Sequence, residues 1–256
     1  MIESKHYDAD FYLGHQDGSY LSAKKVLPIV AEIFHPASVI DVGCGIGSWL
    51  KVWKEDLQVK EIRGIEGPYV SPSMLKVEKE LVHFQDLKEP IKVDQKFDLA
   101  MSLEVAEHLP ASHAERFVES LTALSDVVLF SAAIIGQEGT YHINEQMPEY
   151  WCKLFEKFGY VPVDYVRPLV WNDNQVEWWY QQNILFYIRK SNLQKYPQLK
   201  TAYENTNPAS LLRIHPVLYN IKIERLNKTN TWIGYVRWKL YPLKKSIQKM
   251  FNKKGV

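Results

Sequence analysis

The sequence predicts an α/β chain built around a mostly parallel sheet with helices on both faces. Three observations carry this expectation. Short β-rich runs alternate with helix-like stretches; the runs are continuously apolar rather than alternating; and a glycine-rich turn joins the first of them to a helix. With 256 residues, 46% hydrophobic and 24% charged, the chain is long and apolar enough for one large domain, or for a domain with an appendage. The same figures exclude disorder and a stapled mini-protein.

The predicted strands are Ser38–Val42, Ile62–Glu66, Leu81–Gln85, Phe97–Leu103, Val127–Ala132, Tyr160–Val166 and Ile184–Ile188. Between them, helical patterns cover Ala23–Phe34, Gly47–Leu57, Ser71–Glu80, Ala111–Leu124 and Gln146–Phe158. The last two strands are joined without a clear helix, which suggests an antiparallel pair at one edge of a seven-stranded sheet. The last β-like run ends near Arg189. This divides the chain into a body, 1–190, and an extension, 191–256.

Charge marks the same division. Lys and Arg number 31 against 30 acids, a balance of +1, so the chain as a whole is not a polycation made for DNA. From Lys222 to Val256 there are ten basic residues and one acid, Glu224, a local +9 that leaves −8 for the rest. Cys44 and Cys152 form no CxxC pair, so neither a disulfide framework nor a cysteine zinc site is expected. The opening MIESKHYDADFYLG lacks a basic-then-apolar signal pattern, and the run Val127–Ile135 is about half of a membrane span. The expected location is therefore the cytoplasm.

In a doubly wound sheet, ligands sit beyond the carboxyl ends of the strands. The first strand is followed by Asp41-Val-Gly43-Cys-Gly45-Ile-Gly47, whose alternate glycines permit a tight turn and bring bare backbone to a ligand. The second ends in Glu66-Gly67, an acid placed to accept both hydroxyls of a ribose. The third ends in Gln85-Asp86-Leu87, a carboxylate for an adenine amino group beside an apolar wall for its ring. The glycine spacing is GxGxG rather than the GxGxxG of dinucleotide dehydrogenases, which disfavours a nicotinamide cofactor.

With DVGCGIG, Glu66, Asp86 and FDLAMSLEVAEHL in these positions, the chain resembles class I S-adenosylmethionine-dependent methyltransferases over roughly residues 20–190. The segments SAAIIGQEGTYHINEQMPEYWCKLF and RPLVWNDNQVEWWYQQN look like a bacterial subgroup of methyltransferase-domain proteins, several of which act in surface-glycan or secondary metabolism. One departure is Glu-Gly-Pro at the second strand tip, where the subgroup more often has Asp-Gly-Asp. The resemblance implies the Rossmann-like methyltransferase fold, S-adenosylmethionine as cofactor, and a cofactor site of Asp41, Gly43, Gly45, Gly47, Glu66, Gly67, Asp86, Leu87 and Leu103.

Chemistry is sought at the fourth and fifth strand tips. Glu104, Glu107 and His108 lie within five residues after the fourth strand, and His142 follows the fifth. Two readings are open. Either imidazole could act as general base for an oxygen acceptor, with Glu104 beside it. Alternatively, Glu104, Glu107, His108 and His142 share a divalent ion such as Mg or Mn. The Glu-x-x-Glu-His pattern with a later His is similar to that of metal-dependent O-methyltransferases, including those acting on the 2′-oxygen of small-RNA ends. A third, purely structural possibility is that Glu107 and His108 cap the helix starting near Ala111.

Residues 141–187 hold 13 of the 33 Phe, Trp and Tyr residues, where an even spread gives about six. In Trp171–Asn183 the aromatics are mixed with amides and acids, a combination suited to sugars or to stacked bases. The expected activity is thus O-methylation of a small polar acceptor: a sugar, nucleotide-sugar or surface-polysaccharide precursor. The alternatives are a nucleotide or RNA 2′-oxygen, or a cofactor-binding module that has lost turnover. Tyr7–Tyr20 is a candidate lid, and the basic, aromatic tail is a candidate for peripheral contact with the inner face of a membrane.

Overall fold

The computed structural model describes residues 9–252, with side chains from 18 to 242. The backbone forms a seven-stranded sheet: β1 (Ser38–Val42), β2 (Glu61–Glu66), β3 (Val82–Phe84), β4 (Leu99–Leu103), β5 (Val127–Ser131), β6 (Tyr160–Val163) and β7 (Leu185–Arg189). The strand order is β3-β2-β1-β4-β5-β7-β6. Parallel pairing runs from β3 through β2, β1 and β4 to β5, and β7 is antiparallel to both of its neighbours. The chain reverses its direction of travel across the sheet after β3, so the gap between the carboxyl ends of β1 and β4 is the topological switch point.

The central strands are buried on both faces: β4 and β5 are buried at every position and β1 at all but its first. This explains their unbroken apolar runs. Two cores result. One face packs against α1 (Ala9–Phe34), α2 (Ser48–Lys51) and the π-helical turn Val52–Asp56 that continues α2, through Leu27, Val30, Leu50 and Trp53. The other packs against α3 (Ala114–Leu124) and α4 (Pro148–Lys157), where Phe117, Val118, Leu121 and Phe155 recur at helical spacing. Pro148 opens α4 at a position where a missing N–H costs nothing, and Gly159 at φ 80° follows its end.

Three elements differ from expectation. Ser71–Glu80 forms no helix, only 3₁₀ turns at Pro72–Met74 and Lys79–Leu81. None of its residues is buried, so it has no apolar stripe to dock. The stretch between β6 and β7 is helical, carrying α5 (Val166–Val170) and α6 (Trp178–Asn183). Finally, α1 begins at Ala9, fourteen residues before the expected start, and carries Gly14 and Gly18 within it. Of the candidate lid, Tyr7 and Asp8 lie outside the described residues, as do the side chains of Phe11 and Tyr12.

The chain divides into two compact units, the first ending at Arg213 and the second starting at Ile214. The expected boundary at 190 falls inside the first unit. After β7 the chain continues through α7 (Pro197–Glu204), and Leu193, Leu199 and Leu211 are buried in the two cores of that unit. The second unit consists of α8 (Pro216–Asn230) and α9 (Trp232–Asn252).

Candidate functional site

The three glycines of the first turn all take positive φ: 81° at Gly43, 56° at Gly45 and 82° at Gly47. At Gly43 a second constraint applies, because an added Cβ would lie 2.4 Å from a methyl of Val105. The turn can therefore press against the β4 loop only with glycine there. Glu66, at the end of β2, is buried and spans the turn: one oxygen accepts the Gly45 N–H, and the other accepts the Gly67 N–H at 2.7 Å. Each carboxylate oxygen has a second lone pair, so the group retains acceptor capacity toward a ligand. Burial raises the Glu66 pKa, while the Gly67, Tyr69 and Gly45 hydrogen bonds act against that rise. Asp41 is buried beside it, and burial with the Glu66 charge pushes its pKa up to about 8.

Two cavities open at this edge of the sheet. The first, of about 200 Å³, is lined by Glu66, Tyr69, Asp86, Leu87, Val105 and Leu109 among others. The second, of about 340 Å³, is lined by Asp41, Trp49, Leu103, Glu107, His142 and Trp178–Tyr180 among others. Both are lined by Gly43, Gly45, Glu104 and His108, so they meet at the switch point. Gly47 and Gly67 line neither: Gly47 is the N-cap residue before α2, and the ring of Tyr69 lies across Gly67. Asp86 is half-exposed; it accepts the Lys88 N–H at 2.9 Å, and the Lys88 amine lies 3.5 Å from its other oxygen. From the candidate lid, Ser19 lines the second cavity and its hydroxyl meets that of Tyr180 at 3.3 Å.

At the end of β4, Glu104 has φ 55°, a left-handed conformation that costs about 1–3 kcal/mol in a non-glycine residue. The strained backbone is anchored where its N–H donates to the Ser131 carbonyl (3.0 Å) and hydroxyl (3.1 Å). Its carboxylate is held by two amides that strand-tip reasoning did not assign to it. Gln137 donates at 3.0 Å and Asn183 at 3.1 Å, and Asn183 also donates to the Gln137 oxygen. Burial outweighs these donors and raises the Glu104 pKa to about 7. Asn183 is set by a deeper frame. Arg167, fully buried, donates to the carbonyls of Gln182 and Leu211 and pairs with Asp164 at 2.7 Å.

The β5 loop brings the second imidazole over the first. The His108 and His142 rings meet edge to face at 4.9 Å. The His108 Nδ1 lies 3.3 Å from the Tyr141 carbonyl, which only accepts, so that nitrogen carries the proton and the lone pair sits on Nε2. Glu145 fixes His142 in the same way, through Nδ1 at 2.9 Å, and also accepts the Gly136 and Glu138 N–H groups, which shapes the loop. Burial and the neighbouring His142 lower the His108 pKa to about 4. Glu107 is fully buried, and neither of its oxygens makes a full hydrogen bond; its own N–H and that of Ala133 act on it only weakly. Burial and the Glu104 charge hold its pKa well above the usual carboxylate range.

Glu107, His108 and His142 each offer a ligand atom within 4.8 Å of the others. One carboxylate oxygen and two imidazole nitrogens suit a divalent cation, and the weakly held Glu107 carboxylate is the group such an ion would satisfy. Glu104, expected as a fourth ligand, lies outside this group with its oxygens on Gln137 and Asn183. The capping alternative fails on geometry: no side chain caps the turn before α3, and Glu107 is turned inward.

A 3-2-1-4-5-7-6 sheet with a glycine turn and a buried acid at adjacent strand tips defines the class I S-adenosylmethionine-dependent methyltransferases. The profile of the methyltransferase-domain family matches residues 13–165; the chain belongs to this family and takes S-adenosylmethionine as its cofactor. No curated protein sequence matches the chain. Among solved structures it is similar to the sugar N-methyltransferase KedS8 from Streptoalloteichus sp. ATCC 53650, with 16% identity and a TM-score of 0.54 over 70% of this chain and 91% of that one. The plantazolicin methyltransferase BpumL, in complex with a pentazolic desmethyl analogue and S-adenosylhomocysteine, is similar at 14% identity and a TM-score of 0.53 over 72% and 90%. DesVI of Streptomyces venezuelae follows at 14% and 0.50, over 70% and 94%.

Proposed function

We propose that this methyltransferase transfers its methyl group to a hydroxyl oxygen of a small polyhydroxylated acceptor: a sugar, nucleotide-sugar or surface-polysaccharide precursor. The observation that carries the reading is the imidazole pair at the junction of the two cavities. The cofactor supplies a methyl group made electrophilic by a sulfonium. The first cavity suits its adenosine: Glu66 accepts from the ribose, Leu87 and Val105 flank the base, and Asp86 accepts its amino group. The N–H groups of Gly43 and Gly45 are taken by Ile65 and Glu66, so it is their carbonyls, with Asp41 and Leu103, that face the ammonium of the amino-acid end. Gly47 and Gly67 serve indirectly, by setting the turn and the Glu66 carboxylate.

The acceptor then occupies the second cavity, against the faces of Trp178 and Trp179 and the polar groups of Gln137, Glu138 and Thr140. Positioning two reactants in line contributes about 7–11 kcal/mol toward the barrier. A hydroxyl must also lose its proton. His108, whose Nδ1 lies on the Tyr141 carbonyl, is the group placed to take that proton through Nε2, and burial with the neighbouring His142 keeps the ring in its neutral form. His142, on the opposite loop, shares the task, and Glu104 polarises the junction.

A second reading is favoured by the weakly held Glu107 carboxylate. Glu107, His108 and His142, with Glu104 adjacent, would hold a divalent ion, which would bind and acidify the acceptor oxygen. The test is a methyl-transfer assay with labelled S-adenosylmethionine and a panel of sugars, nucleotide-sugars, amines and an RNA end, run with and without chelator. Transfer to carbohydrate hydroxyls supports the proposal, and transfer confined to amines or RNA overturns it. A rate unchanged by the chelator removes the metal reading. Full activity in both His108→Ala and His142→Ala removes both readings.

A further inference from the structure

The second unit is a pair of helices, α8 and α9. Both carry large apolar side chains in the open: Tyr219, Ile223 and Leu226 on α8, and Trp232, Ile233 and Leu240 on α9, with Trp232 80% exposed. The α8 residues recur at i, i+4 and i+7, one stripe of a helix. Along α9, at 100° per residue, positions 232, 233, 236, 240, 243, 247, 250 and 251 fall within one arc of about 100°; every one of them is apolar. The basic positions 237, 239, 244, 245 and 249 lie outside that arc, most of them flanking it or opposite. Over 222–256 there are ten basic residues and one acid.

Such a face needs a cover, and the charge decides which. A second copy of the chain would set +9 against +9, and the repulsion opposes closure of a symmetric interface. A nucleic acid would satisfy the lysines but leave the apolar arc in water. An anionic bilayer satisfies both, because the arc enters the acyl boundary while Lys and Arg meet the headgroups. No helix among the described residues is long and apolar enough to cross a membrane, so the helix would lie in the plane of the surface. Trp238, Tyr235 and Tyr241, exposed beside the lysines, are the amphipathic aromatics favoured at that depth.

We propose that α8 and α9 form a docking surface for an anionic phospholipid bilayer, with the apolar arc of α9 embedded and its basic flanks on the headgroups. This goes beyond the proposed reaction and does not depend on it. The test is sedimentation of the full chain with vesicles of phosphatidylcholine alone and of phosphatidylcholine mixed with phosphatidylglycerol, at low and high salt. Tryptophan emission is read in parallel. Binding is expected on the anionic vesicles only, weakened by salt and accompanied by a blue shift. Trp232→Ser with Leu240→Ser is expected to abolish it, and each of Lys239→Gln and Lys245→Gln to weaken it about fivefold. S-adenosylhomocysteine affinity, unchanged in these variants, reports that the first unit is intact. Equal binding to neutral vesicles, no binding to either, binding untouched by the double variant, or a salt-sensitive duplex complex in place of vesicle binding overturns the proposal. So does a stable dimer that buries the tryptophans.

Discussion

Replacing Glu66 with Gln removes one oxygen and one charge from the group that closes the glycine turn. In the native chain both carboxylate oxygens accept backbone N–H groups, from Gly45 and Gly67. An amide keeps one acceptor and turns an NH₂ toward the other N–H, so one charge-assisted bond is lost, at about 1.5–3 kcal/mol. For a protein of this size that is a fall of roughly 3–10 °C in Tm. The ribose then meets a neutral group with one acceptor oxygen instead of a carboxylate with two. A further loss of about 3 kcal/mol in binding corresponds to a Kd for S-adenosylhomocysteine raised about 100-fold. Isothermal calorimetry measures both this and its control. The 2′,3′-dideoxy analogue should bind the native chain weakly and Glu66→Gln no more weakly. A Kd within threefold of the native value in a folded Glu66→Gln, or a native chain indifferent to the ribose hydroxyls, refutes the assignment.

Other consequences are open to measurement. Gly43→Ala forces a Cβ into Val105 at positive φ and is expected to cost about 2–4 kcal/mol by thermal denaturation; Val105→Ala in the same chain should restore part of it. Asp41, with its pKa raised from 3.8 to about 8, keeps its proton in the folded chain after the unfolded chain has lost it. Stability therefore falls as pH rises through that window, and Asp41→Asn should flatten the slope and raise the unfolding free energy at pH 8 by an amount on the order of a few kcal/mol, seen as a higher Tm. Arg167→Met leaves Asp164 with Arg213 alone and strips the Gln182 and Leu211 carbonyls of their donor. A loss of about 3–5 kcal/mol is expected in denaturant titration.

Much of the candidate site's geometry was legible because it sits at strand ends, and strand ends are written locally. DVGCGIG announces its turn by composition, and the acids Glu66 and Asp86 follow successive strands. His108 and His142 could be paired in advance because the loops after β4 and β5 converge in this topology. What escaped is tertiary. Glu104 meets Asn183 across 79 residues of sequence and Gln137 across 33, and no periodicity marks an amide for a distant carboxylate. Arg167 reads as a surface residue until the carbonyls around it are known. The failed helix at Ser71–Glu80 shows the converse: residues with helical propensity stay in turns when Pro68 and Pro72 interrupt the chain and no core receives a face. The late helices were hidden by residues whose β-propensity suggests strand: valines in α5, where Pro168 also disfavours a helix, and aromatics in α6.

The most direct test of the account is the product itself. Purified protein is incubated with methyl-labelled S-adenosylmethionine and a cell-extract fraction of small polar metabolites, and the labelled product is isolated and its new methyl located by mass spectrometry and NMR. The account predicts one methyl ether on a carbohydrate hydroxyl, lost together with S-adenosylhomocysteine release when both His108 and His142 are replaced by Ala. Label on nitrogen or carbon, or a methyl ether formed undiminished by that double variant, contradicts it.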